Sequence, residues 1–144
     1  MEHAGPVPGM AHLDRMAAQL RQAGLRPTRQ RVDLGRVLFA KGDRHVSAEE
    51  LHAEAEAAGV RVSLATVYNA LHQFTEAGLL REVAIDGTRT YFDTNVSDHH
   101  HFFVEGEGRL IDLVGEIAID SLPQPPPGME ITSVEVVVKV RRCP

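Results

Sequence analysis

Three consecutive histidines, His99, His100 and His101, follow Asp98 and come soon after Asp93, and this run is the strongest chemical signal in the chain. On an extended strand alternate side chains share a face, so His99 and His101 point one way while Asp98 and His100 point the other. Two imidazoles beside carboxylates make a nitrogen and oxygen donor set suited to Fe2+, Mn2+ or Zn2+. Asp93 before the run and Asp112 after it can add oxygen ligands, and His45, far earlier in the chain, a further nitrogen. The candidate metal site is therefore His45, Asp93, His99, His101 and Asp112. A merely solvated polar run explains neither the repetition nor the alternation.

Other metal chemistries are excluded by what is missing. Cys143 is the only cysteine, so no Cys-x-x-Cys pair can build a structural zinc site and no internal disulfide can form. That usage fits a reducing cytoplasm. A catalytic zinc needs an open position beside a placed general base, and no His-Glu-x-x-His motif supplies one, so the chain reads as a non-enzyme. The terminal Cys143-Pro144 dipeptide could touch haem, but a Cys-Pro at a chain end more often does nothing.

The elements that must position these donors follow from periodicity. Residues 1–10 (MEHAGPVPGM) read as a loose tail. Leu13, Met16, Ala17 and Leu20 recur at helical spacing up to Gly24. Thr28 can cap a second helix bearing Val32, Leu34, Val37 and Leu38. Ser47, with Glu50 three residues on, opens a third as a capping box. Ser63 caps a fourth, with Leu64, Val67, Leu71 and Phe74 along one side. Two strand-like runs, 79–85 and 88–94, then flank Asp86-Gly87, a hairpin signal. Helices followed by a β-hairpin are the order of a winged helix-turn-helix, placed here at 11–94. From 95 to 144 a small α/β dimerisation domain is expected. It has strands at 101–104 and 109–113, a short helix at 116–122 and a final strand at 131–141. So few residues cannot close a core alone, which points to a homodimer. The fold class is α+β.

Charge separates along the same boundary. Residues 21–44 carry seven basic side chains against two acidic ones, whereas residues 93–144 carry four basic against nine acidic, within a net charge of −5. A positive face for phosphates and carboxylates kept elsewhere for cations is the physical implication. The exposed side of the fourth helix offers Ala65, Thr66, Tyr68, Asn69 and Gln73, a neutral set rich in hydrogen-bonding groups. Such a face suits the major groove, where Asn can read adenine and an aromatic edge can meet a thymine methyl. Arg89, just past the hairpin turn, could reach backbone phosphate. Double-stranded operator DNA is the expected partner. No stretch is long or apolar enough to span a bilayer, so none is expected at a membrane.

These residues resemble the ferric uptake regulator (Fur) family. AGLRPTRQR at 23–31, RHVSAEELH at 44–52, SLATVYNALHQFTEAGLL at 63–80 and SDHHHF at 97–102 fall in its order and spacing, over nearly the whole chain. TYFDTN and HHHFF are similar to its iron response regulator (Irr) branch. The resemblance implies a metal- or haem-responsive regulator that represses or activates iron and haem metabolism genes. It implies the same five metal ligands, with haem as a further ligand on His45, His99, His100 or His101. It places a second metal site on Asp98 and His100. The distal histidine that usually completes that site is missing, and Glu116 or Asp120 stand in for it. It replaces the family's zinc cysteines by Val104 and Glu107, and puts DNA contacts at Arg26, Tyr68 and Asn69. A peroxide-sensing regulator of the same family is the alternative, because Asp at both 93 and 112 resembles that ligand set.

Overall fold

The computed structural model describes residues 8–97 and 99–144; residues 1–7, Asp98 and the side chains of residues 8–14 lie outside the described residues. The chain divides between Val96 and Ser97 into two compact units. No helix among the described residues is long and apolar enough to cross a membrane.

The first unit opens with four helices, α1 (Pro8–Gln22), α2 (Arg29–Phe39), α3 (Ala48–Ala57) and α4 (Leu64–Glu76). Of the expected tail, residues 1–7 lie outside the described residues, and residues 8–10 form the start of α1. Hydroxyl caps start the other three as expected. Thr28 Oγ1 accepts from Arg31 N–H at 3.3 Å, Ser47 Oγ from Glu50 N–H at 3.1 Å and Ser63 Oγ from Thr66 N–H at 3.1 Å. At the far end of α4, Gly78 adopts φ +83°, and Leu79 N–H reaches back to Phe74 C=O at 2.9 Å. That turn sends the chain into the hairpin.

Three short strands complete the unit: β1 (His45–Val46), β2 (Arg81–Ala84) and β3 (Thr90–Asp93), in the order β1-β3-β2 and antiparallel throughout. Two residues are too few to show a period, so β1 was not foreseeable from the sequence. The hairpin loop also differs from a two-residue turn at Asp86-Gly87. Ile85 N–H bonds Arg89 C=O at 2.9 Å, leaving Asp86, Gly87 and Thr88 in the loop. The Asp86 carboxylate accepts from the N–H groups of Thr88 (2.8 Å) and Arg89 (3.0 Å). It thereby supplies the hydrogen bonds a tight turn would have made through the backbone. These bonds and Arg89 hold its carboxyl well below the usual carboxylate range.

Leu20, Leu34, Leu38, Val46, Leu51, Val67, Leu71, Phe74 and Phe92 lie buried together. One core thus joins all four helices to the sheet. On its edge, Glu54 of α3 receives both Arg44 (NH1 to Oε1, 2.8 Å) and Lys41 (3.0 Å), tying the segment before β1 to the helix after it. Hydrogen bonding by Arg44 lowers the Glu54 carboxyl to about 2.

The second unit holds β4 (His101–Val104), β5 (Arg109–Asp112) and β6 (Val137–Val140), ordered β5-β4-β6. β4 and β5 form the expected hairpin, whereas β6 joins β4 in parallel. Two expectations are corrected. Residues 116–122 form no helix, and the last strand spans only 137–140 of the expected 131–141. Pro123 and the Pro125–Pro127 run follow that segment and deny it a helical continuation. The register with β4 begins at Val137, and the ladder's first bond runs from His101 N–H to Val136 C=O at 3.2 Å.

Truncating Phe74 to Ala should cost about 3–5 kcal/mol of stability, read by urea unfolding. Glu54 has a folded pKa below its ordinary value. Its stabilising contribution is therefore complete above about pH 5 and declines as the pH falls toward about 2. Glu54→Gln should lower stability at pH 7 by up to about 1 kcal/mol, and the gap to the native chain should narrow by pH 3.

Candidate metal centre and nucleic-acid face

In the first unit, strand register brings one imidazole to one carboxylate. His45 of β1 stands opposite Asp93 of β3, and His45 Nε2 lies 3.2 Å from Asp93 Oδ2. Asp93 is 1% exposed, and its other oxygen accepts Asn95 N–H at 2.9 Å, which fixes the carboxylate plane. Arg44 and Thr94 lengthen this ladder by one step, through Thr94 N–H to Arg44 C=O (3.0 Å) and Arg44 N–H to Thr94 Oγ1 (2.8 Å). The Arg44–Glu54 pair thus holds the strand that presents His45.

The second unit brings together two imidazoles and a carboxylate. His101 is paired in register with Asp112, so both project from the same side of the β4–β5 hairpin. His99, two residues upstream, lies with its ring centroid 4.5 Å from that of His101. His99 Nε2 is 3.2 Å and His101 Nε2 3.5 Å from the same oxygen, Asp112 Oδ1. His99 Nδ1 donates to Ser97 C=O at 2.7 Å, which leaves Nε2 as the nitrogen free of a proton in the neutral ring. The ligand atoms of His99, His101 and Asp112 all lie within 4.8 Å of one another. Two imidazole nitrogens and a carboxylate oxygen at this separation suit a divalent transition metal, so the residues present fit such an ion.

Among the described residues no metal-sized cluster gathers the second site expected from the sequence. Asp98 lies outside the described residues. His100 Nδ1 accepts Val136 N–H at 3.0 Å, so that ring serves the junction with the last strand. Glu116 and Asp120 are exposed in the irregular segment between β5 and β6, and neither joins His100 in a metal-sized cluster among the described residues. Glu107, at a position the resemblance gives to a zinc cysteine, instead pairs with Arg142 (Nε to Oε2, 3.1 Å).

On α4 the candidate reading residues differ in their freedom. Asn69 is exposed. Thr66 Oγ1 lies 2.9 Å from the capping hydroxyl of Ser63. Tyr68 donates its hydroxyl to Glu49 Oε1 of α3 at 2.7 Å, and that carboxylate raises the phenol above its ordinary pKa. The Tyr68 ring also stacks on His72 at a centroid distance of 6.3 Å. Gln73, expected on the same face, is hydrogen-bonded by Arg31. Arg26 is exposed in the turn before α2. Arg89, expected to reach for phosphate, is held by Asp86 through Nε (3.0 Å) and NH2 (2.8 Å). Sequence reasoning missed Glu49, Asn95 and Ser97, whose roles depend on backbone groups and long-range neighbours that carry no motif.

Comparison with known proteins agrees with this architecture. Residues 22–138 match the ferric uptake regulator family. The "Peroxide-responsive repressor PerR" of Staphylococcus aureus is 33% identical over 101 residues, covering 70% of this chain and 68% of that protein. The ferric uptake regulator of Pseudomonas aeruginosa, solved with manganese, superposes with a TM-score of 0.66 at 28% identity over 88% of this chain and 97% of that one. The Vibrio cholerae ferric uptake regulator gives a TM-score of 0.68 at 23% identity, over 88% of this chain and 98% of that one. Family members are dimeric DNA-binding transcription regulators rather than enzymes. With the match spanning both units, this chain belongs to the ferric uptake regulator family.

Proposed function

We propose that this chain is a metal-responsive transcriptional repressor of the cytoplasm, which binds operator DNA as a homodimer and senses a divalent cation at His45, Asp93, His99, His101 and Asp112. The observation that carries this reading is the approach of His99, His101 and Asp112, the last two of which are set opposite each other by strand register. The His45–Asp93 pair offers the matching nitrogen and carboxylate from the DNA-binding unit. Bound there, Fe2+, Mn2+ or Zn2+ would supply the positive charge that lets two carboxylates and three imidazoles share one site. Asp93, anchored by Asn95 N–H, and His99, anchored on Ser97 C=O, keep their donor atoms oriented before any ion arrives.

DNA contact is assigned to Asn69, Tyr68 and Thr66 of α4, with Arg26 and Arg89 at the backbone or minor groove. In the second unit Ile111, Val114, Ile119, Leu122, Met129, Ile131 and Val134 are exposed, apolar surface of the kind a second copy covers.

Control of iron metabolism genes is the finer reading, and a peroxide response is the second. The latter is favoured by the two carboxylates of the set, Asp93 and Asp112, and by the PerR name of the Staphylococcus aureus relative. Haem rests on the Irr resemblance alone. One of its candidate ligands, His100, already uses Nδ1 on Val136.

Isothermal titration of the chain with Mn2+ should show His99→Ala and His101→Ala each weakening binding by about 10–100-fold; native affinity in His101→Ala would remove this site. Tyr68→Ala should weaken operator binding about tenfold while sedimentation still reports a dimer; undiminished binding would take α4 out of the interface. Treating the Fe2+-loaded chain with hydrogen peroxide separates the two signals. An added oxygen on His45 or His99 by peptide mass mapping supports the peroxide response, and unmodified histidines support iron itself as the signal.

A further inference from the structure

Arg31 lies in the strongly basic stretch, and composition alone would give it to phosphate. Its guanidinium is spent elsewhere. Nε and NH2 both donate to Gln73 Oε1, at 3.1 Å and 3.0 Å, and NH1 donates to Arg26 C=O at 2.9 Å. One half-buried side chain at the start of α2 therefore grips the reading helix α4 with one edge and the α1–α2 turn with the other. Arg and Gln stand 42 residues apart in sequence, so the bond is a tertiary contact.

From this geometry we infer that Arg31 and Gln73 form a positioning clamp, which sets the distance between α4 and the backbone from which Arg26 projects. The inference rests on the proposed reading of α4 as the DNA-contacting helix. A rigid planar fork suits this task because its donors diverge at fixed angles, so two acceptors on different elements are held in one plane. Pro27 follows Arg26 and lacks an N–H, and its ring fixes φ. Thr28 N–H also bonds Arg26 C=O at 2.9 Å, so the turn is closed around the carbonyl that Arg31 holds. Gln73 is correspondingly withdrawn from base reading. A Gln that reads adenine needs its amide oxygen as well as its NH2, and here that oxygen carries two guanidinium bonds. Minor-groove and major-groove contacts then arrive at a spacing set inside the protein.

The test uses the full Mn2+-loaded chain and duplexes selected by the native protein from a randomised pool, with affinity followed by fluorescence anisotropy across a salt series. Arg31→Met and Gln73→Ala should each weaken binding about tenfold, and the double variant should be no weaker than the poorer single one. The slope of log affinity against log salt should stay at its native value, because no phosphate contact is lost. Gln73→Glu keeps an oxygen acceptor for Arg31 and should retain the native base preference. Hydroxyl-radical footprints should lose minor-groove protection in Arg31→Met, which a simple loss of stability would not do selectively. A salt slope reduced by about one in Arg31→Met would make it a phosphate ligand and overturn the clamp. So would multiplicative effects in the double variant, or an altered base preference in Gln73→Glu. Asn69→Ala separates the two levels. If it loses binding while Arg31→Met binds natively, the clamp alone fails, and if Asn69→Ala also binds natively, the reading of α4 fails with it.

Discussion

Side chains on a strand alternate between faces, and partners in an antiparallel pair project to the same side. That constraint underlies both pairings among the candidate ligands, one in each unit. His45 meets Asp93 because β1 and β3 place them opposite each other, and His101 meets Asp112 because β4 and β5 do the same. A slip of one residue in either ladder would turn an imidazole away from its carboxylate. Everything that secures register therefore secures the centre, including the Arg44–Glu54 pair beside β1 and the closed Glu105–Gly108 loop between β4 and β5.

The donors are also oriented from behind. Asn95 N–H on Asp93 and Ser97 C=O on His99 are backbone groups, and they restrict each ring or carboxylate plane at little entropic cost. His101 and Asp93 are nearly inaccessible, whereas Asp112 is 45% exposed. Within the second unit, buried His101 and half-exposed Asp112 thus present one imidazole shielded from water and one oxygen open to it.

Carboxylates partner the groups assigned to DNA. Glu49 holds Tyr68, and Asp86 holds Arg89. Exposed pairs of this kind contribute about 0–1 kcal/mol, so phosphate or a base edge can replace them at small cost. They keep side chains extended and oriented in the free protein. In the same region Arg31 spends its charge internally, which shows that position within a basic stretch does not determine what a cation does.

Local chemistry in the sequence was enough to determine where α2, α3 and α4 start, because Thr28, Ser47 and Ser63 cap through bonds that span only three residues. It did not give the start of α1 at Pro8 or the lack of a helix over 116–122. It was enough, too, for the β4–β5 hairpin and for the facing of His99 and His101, since a period of two is written in the chain itself. The proposed ligand residues were nameable from residue type and from resemblance. Tertiary structure alone decided the rest. The two-residue strand β1 exists only because β3 pairs with it, and the final strand is cut to Val137–Val140 by the length of its β4 partner. His100 was diverted to Val136 and Gln73 to Arg31 by neighbours 36 and 42 residues away, which no local pattern encodes. Hydrogen-bond partners are chosen in three dimensions, and a polar side chain that looks available in sequence can already be satisfied when the chain folds.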